Sequence, residues 1–162
     1  PDPLELAKAC RALIVLEDLS NHDNVGSVFR SAAALGGAGV GVLLSSRCCD
    51  PLYRKALRVS MGHVLRVPFA TVDDLPSFLP LLHNMGYTSL ALTPDPGAHS
   101  LSSVKDQQPD RPVLCLGAEG PGLTDALQSA VLQRIRIPMA SGVDSLNIAV
   151  AAAVSLYEIL EP

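Results

Sequence analysis

The sequence predicts an α/β fold: a parallel sheet with helices on both faces. Three observations lead there. Short apolar runs alternate with helical segments along the 162 residues. The runs are almost continuously apolar rather than alternating, which suits strands buried on both faces. Loops of small residues follow several of them, as at Gly117-Ala118-Glu119-Gly120-Pro121-Gly122. In open α/β sheets, ligands bind where strands give way to helices.

The elements follow in order. Residues 13–16 form a buried-type strand, ended by Glu17-Asp18. Residues 24–35 form a helix with Val25, Val28, Phe29, Ala32 and Leu35 on its apolar side, stopped by Gly36-Gly37. Residues 40–44 form the second strand. Asp50-Pro51 supplies the N-cap and first position of a helix over 52–60. A third strand is expected over 64–69, then a helix over 74–85 that Pro80 would kink or shorten. Residues 87–92 form the fourth strand, running into the rigid loop Thr93-Pro94-Asp95-Pro96-Gly97. The polar stretch 98–111, anchored only by Leu101 and Val104, reads as a surface connection. Strands over 113–116 and 134–137 flank a helix over 124–131, and a long Ala-rich helix runs from about 145 to 160.

Composition fits one domain with a sizeable core. The longest apolar run lies within 148–156, too short to span a bilayer. The first residues carry Asp2, Glu5 and Lys8 without an apolar run, so no signal peptide is expected. Cys10, Cys48, Cys49 and Cys115 form no CxxC pair and read as buried or half-buried thiols of a cytoplasmic protein. The four histidines lie far apart with no metal-ligand spacing, and no metal site is expected.

The formal net charge is −4. Between residues 24 and 72, however, Arg30, Arg47, Arg54, Lys55, Arg58 and Arg66 face a single acid, Asp50. Such a basic segment on an acidic chain suits contact with a polyanion. It equally suits a solvated helix face, and charge alone leaves both open.

The glycine clusters narrow the chemistry. Gly36-Gly37-Ala38-Gly39 follows a helix and precedes a strand, the reverse of a dinucleotide fingerprint. No GxGxxG follows the first strand, which argues against a dinucleotide enzyme. The cluster after the fifth strand lacks the Lys-Ser/Thr of a phosphate-binding loop, and Glu119 puts negative charge where a phosphate would sit. It suits a neutral or cationic ligand approached by backbone, or a plain turn whose Glu119 caps the next helix.

Three patterns in this order carry more. They are Asn24-x-Gly26-x-x-x-Arg30, Gly117-x-Glu119-x-x-Gly122-Leu123, and Ile137-Pro138-Met139 followed by Ser145-Leu146-Asn147. Together they resemble the three motifs of the SpoU/TrmH family, RNA ribose 2′-O-methyltransferases of the SPOUT class, over nearly the whole chain. Ala118 stands where Asn or Ser is frequent, and Ser141 where Gly is frequent. The resemblance implies a C-terminal deep trefoil knot whose loops bind S-adenosylmethionine through backbone groups. It implies Thr93, Gly117, Ile137 and Leu146 as cofactor contacts, with Met139 nearby. It also implies a homodimer that completes the active site, and an RNA substrate, tRNA or rRNA.

A ribose 2′-hydroxyl is a poor nucleophile until a base takes its proton or a cation stabilises the forming alkoxide. No histidine accompanies the motifs, and His22 reads as loop surface. Arg30 is therefore expected to bind a phosphate bidentately and place the ribose, projecting toward the strand-end cleft. Asn24 would hold Arg30 or the ribose. Ser145 and Asn147 would open the last helix, fixing substrate or the partner's arginine, or simply capping it. Glu119 would order loops. Arg30, Arg47, Arg54, Lys55 and Arg58 are the expected RNA contacts. The expected organisation is one methyltransferase domain over 1–162, from a longer chain with an upstream RNA-binding segment. The alternative is a catalytically silent RNA-binding module of the same fold, which a methyl-transfer assay separates.

Overall fold

The structure is a computed structural model that describes residues 1–160; Glu161 and Pro162, the end of the expected domain, lie outside the described residues. A seven-stranded sheet forms its centre: β1 (Ala12–Glu17), β2 (Val40–Ser45), β3 (Phe69–Val72), β4 (Thr88–Leu92), β5 (His99–Ser100), β6 (Pro112–Gly117) and β7 (Gln133–Arg136). Their spatial order is β3-β2-β1-β6-β4-β7-β5, and every pairing is parallel. The helices are α1 (Pro3–Ala9), α2 (His22–Gly36), α3 (Arg54–Val59), α4 (Leu75–Asn84), α5 (Leu101–Gln107), α6 (Asp125–Ala130) and α7 (Ile148–Leu160).

Strand alternation divides the core into two layers. Ala12, Ile14 and Leu16 of β1 face Val25, Val28, Phe29 and Ala32 of α2, together with Ala152 and Leu156 of α7. Leu13 and Val15 face the other way, toward Leu6 of α1, Leu79 and Leu82 of α4, and Leu127 of α6. Both faces of the sheet are thus covered, as the continuous apolar runs predict. No helix among the described residues is long and apolar enough to cross a membrane.

Helix α2 begins two residues before the expected start, because Asn21 accepts from the backbone N–H groups of Asp23 and Asn24. It ends at Gly37, whose φ of 62° few side-chain-bearing residues adopt. Helix α3 starts at Arg54 rather than 52, since Asp50 spends its carboxylate on the N–H of Leu52 in a turn. Pro80 lies inside α4 without ending it.

One expectation is corrected, and two stretches carry elements that the sequence reading does not mark. The strand expected over 64–69 is a 3-10 turn, His63–Leu65, and β3 begins only at Phe69. Gly62, at φ 79°, reverses the chain there, and the buried Ser60 hydroxyl receives the N–H of Val64. The polar stretch 98–111 carries β5 and α5, with its two expected anchors, Leu101 and Val104, buried. Two anchors a turn apart suffice for one short amphipathic helix. The N-terminal residues form α1, capped by Asp2 through the N–H groups of Leu4 and Glu5. Its C-terminus is tied down by Arg111, which donates to the carbonyls of Ala7 and Cys10 at 2.9 and 2.8 Å and lies 4.0 Å from the Tyr87 ring centroid.

Cys10 and Cys115 are buried, Cys48 and Cys49 half-buried, and all four are free thiols. Burial pushes the Cys48 and Cys49 thiols above their ordinary range, so neither is poised as a thiolate.

Candidate active site at the carboxyl ends of the strands

The chain steps outward from β1 to β2 and β3, and later strands lie on the other side of β1. The reversal at β1 and β6 brings Glu17 beside Gly117, at the carboxyl edge of the sheet. A cavity of about 770 Å³ opens at that edge over β4, β6 and β7. It is walled by three loops: Leu92 to Pro96, Gly117 to Leu123, and Ile137 to Asn147.

The loop after β6 folds back on itself. Gly122 donates its N–H to the carbonyl of Ala118 at 2.9 Å. Gly120 and Gly122 take φ values of 86° and 68°. A Cβ on Gly117 would lie 2.3 Å from the backbone of Gly122 and of Leu123, so only glycine lets the loop close. Glu17 holds the loop from behind. Its carboxylate accepts the N–H of Thr124 at 2.7 Å and the Thr124 hydroxyl at 3.0 Å, and it is 6% exposed. Thr124 in turn caps α6 by accepting from Leu127. Glu119 is therefore not that helix's cap.

Glu119 turns instead to the last loop. Asn147 Nδ2 donates to Glu119 Oε1 at 3.1 Å and to Asn24 Oδ1 at 3.2 Å. Asn147 Oδ1 accepts from the N–H groups of Ala149 and Val150. One amide side chain thus caps α7 and ties it to the start of α2 and to the loop after β6. Helix α7 starts at Ile148, so Ser145 does not open it; Ser145 lies exposed in the preceding loop.

Thr93, Gly117, Ile137, Met139 and Leu146 all line the cavity, as do Glu119, Ser145 and Asn147. Asn24 is buried beside it, joined through Asn147. Arg30 is not among the lining residues, contrary to the expected projection into the cleft. It lies roughly 120° around the helix axis from Asn24. It is exposed and makes no hydrogen bond or ion pair among the described residues.

Gly26 explains what lies beside α2: a Cβ there would lie 2.7 Å from the carbonyl of Ala56, so α3 packs directly on α2. Arg54, Lys55 and Arg58 of α3 and Arg47 before it are all exposed. Lys55 pairs with Asp23 at 3.2 Å, and Arg47 approaches Asp18 at 3.9 Å. Both pairs are on the surface and weak.

Sequence reasoning missed Glu17, Gln128 and Arg136. Glu17 was readable only as the end of a strand. Gln128 and Arg136 line the cavity from α6 and β7, and no motif marks them. It also missed the His22–Tyr53 ring contact, with centroids 4.5 Å apart.

Residues 11–157 match the model of the SpoU rRNA methylase family. The chain belongs to that family. An uncharacterized tRNA/rRNA methyltransferase of Mycobacterium bovis is 44% identical over 159 residues, covering 98% of this chain and 54% of the relative. The chain thus spans about half the length of the curated relatives it matches. Among solved structures, an AdoMet-bound rRNA methyltransferase from Sinorhizobium meliloti superposes with a TM-score of 0.84 at 26% identity, covering 95% of this chain and 59% of that one. An RNA 2′-O ribose methyltransferase superposes at 0.76 with 29% identity, covering 99% and 57%. Membership of the SpoU family accords with the seven-stranded parallel α/β architecture that the chain shares with these structures.

Proposed function

We propose that the chain is the catalytic domain of an S-adenosylmethionine-dependent RNA ribose 2′-O-methyltransferase, acting as a homodimer on tRNA or rRNA. The observation that carries this reading is the Asn147 bridge. It ties Asn24, Glu119 and the last helix together at the mouth of a cavity lined by every expected cofactor contact. Small-residue backbone and the apolar side chains of Leu92, Ile137, Met139 and Leu146 suit a nucleoside. Two of the similar solved structures are described as AdoMet-bound.

The cofactor, when bound, supplies a methyl group on a sulfonium. This chain's residues do the rest. The closed loop at Gly117 and the loop 137–147, which line the cavity, would hold the cofactor by backbone. Asn147 and Glu119 fix the loop edges. Arg30 lies outside its own protomer's cavity, so its role is assigned to the neighbouring protomer's site. There its guanidinium would bind the substrate phosphate and steady the ribose 2′-oxygen, which would take the methyl group from the sulfonium sulfur and give up its proton to that phosphate. Arg47, Arg54, Lys55 and Arg58 extend that basic face for the RNA backbone.

The homodimer reading rests on α7. Val150, Val154 and Tyr157 are exposed at helical spacing, opposite the buried Ala151, Ala152, Ser155 and Leu156. A deep trefoil knot is part of the same reading. It is supported by β7 lying between β4 and β5, the two strands that the chain joins directly, and by α7 packing across on α2. Tritiated S-adenosylmethionine, purified protein and total tRNA or rRNA test the function. The expected product is an alkali-resistant dinucleotide carrying the label; label on a base overturns the ribose assignment, and no label on any RNA supports the silent RNA-binding module.

A further inference from the structure

The cavity holds one cation that the reaction as described does not use. Arg136 is the last residue of β7 and lines the cavity, as do the loop after β4 and Gln128 of α6. Strand alternation turns Ile135 into the core and Arg134 and Arg136 to the opposite side. Arg134 is satisfied there, donating to Asp95 at 2.7 Å. Arg136 is not. Its Nε is buried without a hydrogen-bond partner, and its guanidinium makes no hydrogen bond or ion pair among the described residues. The side chain is half-buried and this one donor is desolvated; an unpaired buried donor is costly, and its place in a cavity wall suits an anion from outside the chain.

The other charged lining residues are Glu119 and Asp144, both acidic. Arg136 is the single cation among the described lining residues. The cofactor assigned under the proposed function is a cation at sulfur and a zwitterion at its amino-acid end. Its α-carboxylate is its only anion. A guanidinium presents two parallel N–H donors, a match for one carboxylate.

We propose that Arg136 binds the α-carboxylate of the cofactor's amino-acid end and so sets which end of the ligand lies against β7. This rests on the cofactor reading above. Apolar walls and backbone would then recognise the nucleoside, and Arg136 the amino-acid tail. The two halves of the ligand are separable in binding.

Calorimetry with S-adenosylhomocysteine and with 5′-methylthioadenosine, which lacks the amino-acid end, tests the assignment. Arg136→Gln is expected to weaken S-adenosylhomocysteine about tenfold or more, the scale of a lost charge-assisted pair. It should change 5′-methylthioadenosine by less than about twofold. Arg136→Lys, which keeps the charge without the fork, should fall between, and replaces Arg136→Gln if that variant does not melt cooperatively. Equal losses for both ligands, or none for either, overturn the proposal. Filter binding of tRNA without cofactor separates the other anion source. Weaker RNA binding by Arg136→Gln with unchanged S-adenosylhomocysteine affinity assigns the group to a phosphate and overturns it. If the unaltered protein binds neither ligand, the cofactor reading itself has failed.

Discussion

Gly117 and Arg30 show two ways in which one residue decides a site. Gly117 has no freedom to change. A methyl group there would meet the backbone of Gly122 and Leu123 at 2.3 Å, and backbone cannot swing aside as a side chain can. Gly117→Ala is expected to open the loop and lower the affinity for S-adenosylhomocysteine more than about tenfold, as misplacing pre-set contacts does. Calorimetry beside a thermal melt checks it; unchanged affinity would mean that the loop does not hold the ligand. Arg30 is the opposite case, exposed and unpartnered among the described residues. Exposed substitutions without partners usually stay within about 0.5 kcal/mol of the original stability. Arg30→Ala and Arg30→Lys should therefore melt as the unaltered protein does and bind S-adenosylhomocysteine normally. Methyl transfer should fall on the order of a hundredfold, the effect of losing a transition-state contact. Near-normal turnover by a folded Arg30→Ala protein sinks the assignment. The motif made Arg30 legible as a functional residue. It did not show that Arg30 points away from its own cavity, because helical phase relative to a sheet depends on which face α2 buries.

At the scale of elements, side-chain bonds between segments distant in sequence hold the sheet's carboxyl edge and its flank. The Asn147 bridge spans α2, the β6 loop and α7. A second link joins α4, β4 and the segment before β7. The Ser89 hydroxyl accepts the N–H of Leu132 at 2.9 Å and lies 2.7 Å from His83 Nε2, either atom of that second pair donating according to the imidazole tautomer. Burial disfavours the charged ring and holds His83 below the ordinary imidazole range. A histidine with a depressed folded value binds fewer protons when folded than when unfolded. Its contribution is complete above the unfolded value near 6.5 and is lost as pH falls through its lower folded value. Melting temperature is expected to decline as pH is lowered below that range, and His83→Gln should flatten the decline. Parallel curves for the two proteins would mean that the bond does not couple to stability. Neither link is readable from the chain. The motif marks Asn147 without saying which residues it joins, and Ser89 looks like an ordinary strand serine until the fold supplies its partners. The same limit explains the misplaced third strand: residues 64–69 are apolar enough for one, but the reversal at Gly62 comes first.

Across the whole molecule, α7 is the element with two apolar sides. Leu156 packs into the core, so replacing it would test folding rather than assembly. Val154 and Tyr157 face outward. Sedimentation of the unaltered chain is expected to show a dimer at micromolar concentration. Val154→Asp combined with Tyr157→Asp should give a folded monomer with methyl transfer reduced at least about tenfold, because Arg30 would then serve no site. A fully active monomer contradicts the shared site.

The sequence by itself determined the layer architecture and the location of the site. Continuous apolar runs, helically spaced apolar positions and small residues after the strands are local properties, and each survives folding unchanged. It also determined the family, because three motifs fix residue types at set separations. The tertiary structure alone decided which of those residues meet. Asn24, Glu119 and Asn147 are brought within hydrogen-bond reach across 123 and 28 positions of chain. Glu17 becomes the brace of a loop 107 positions away. Arg30 is turned outward, and Arg136, which no motif marks, is turned into the cavity. The reason is physical: local pattern fixes which face of an element is apolar, while the strand order β3-β2-β1-β6-β4-β7-β5 fixes which polar ends are neighbours. That order is set by the packing of the whole core, to which no single segment holds the key.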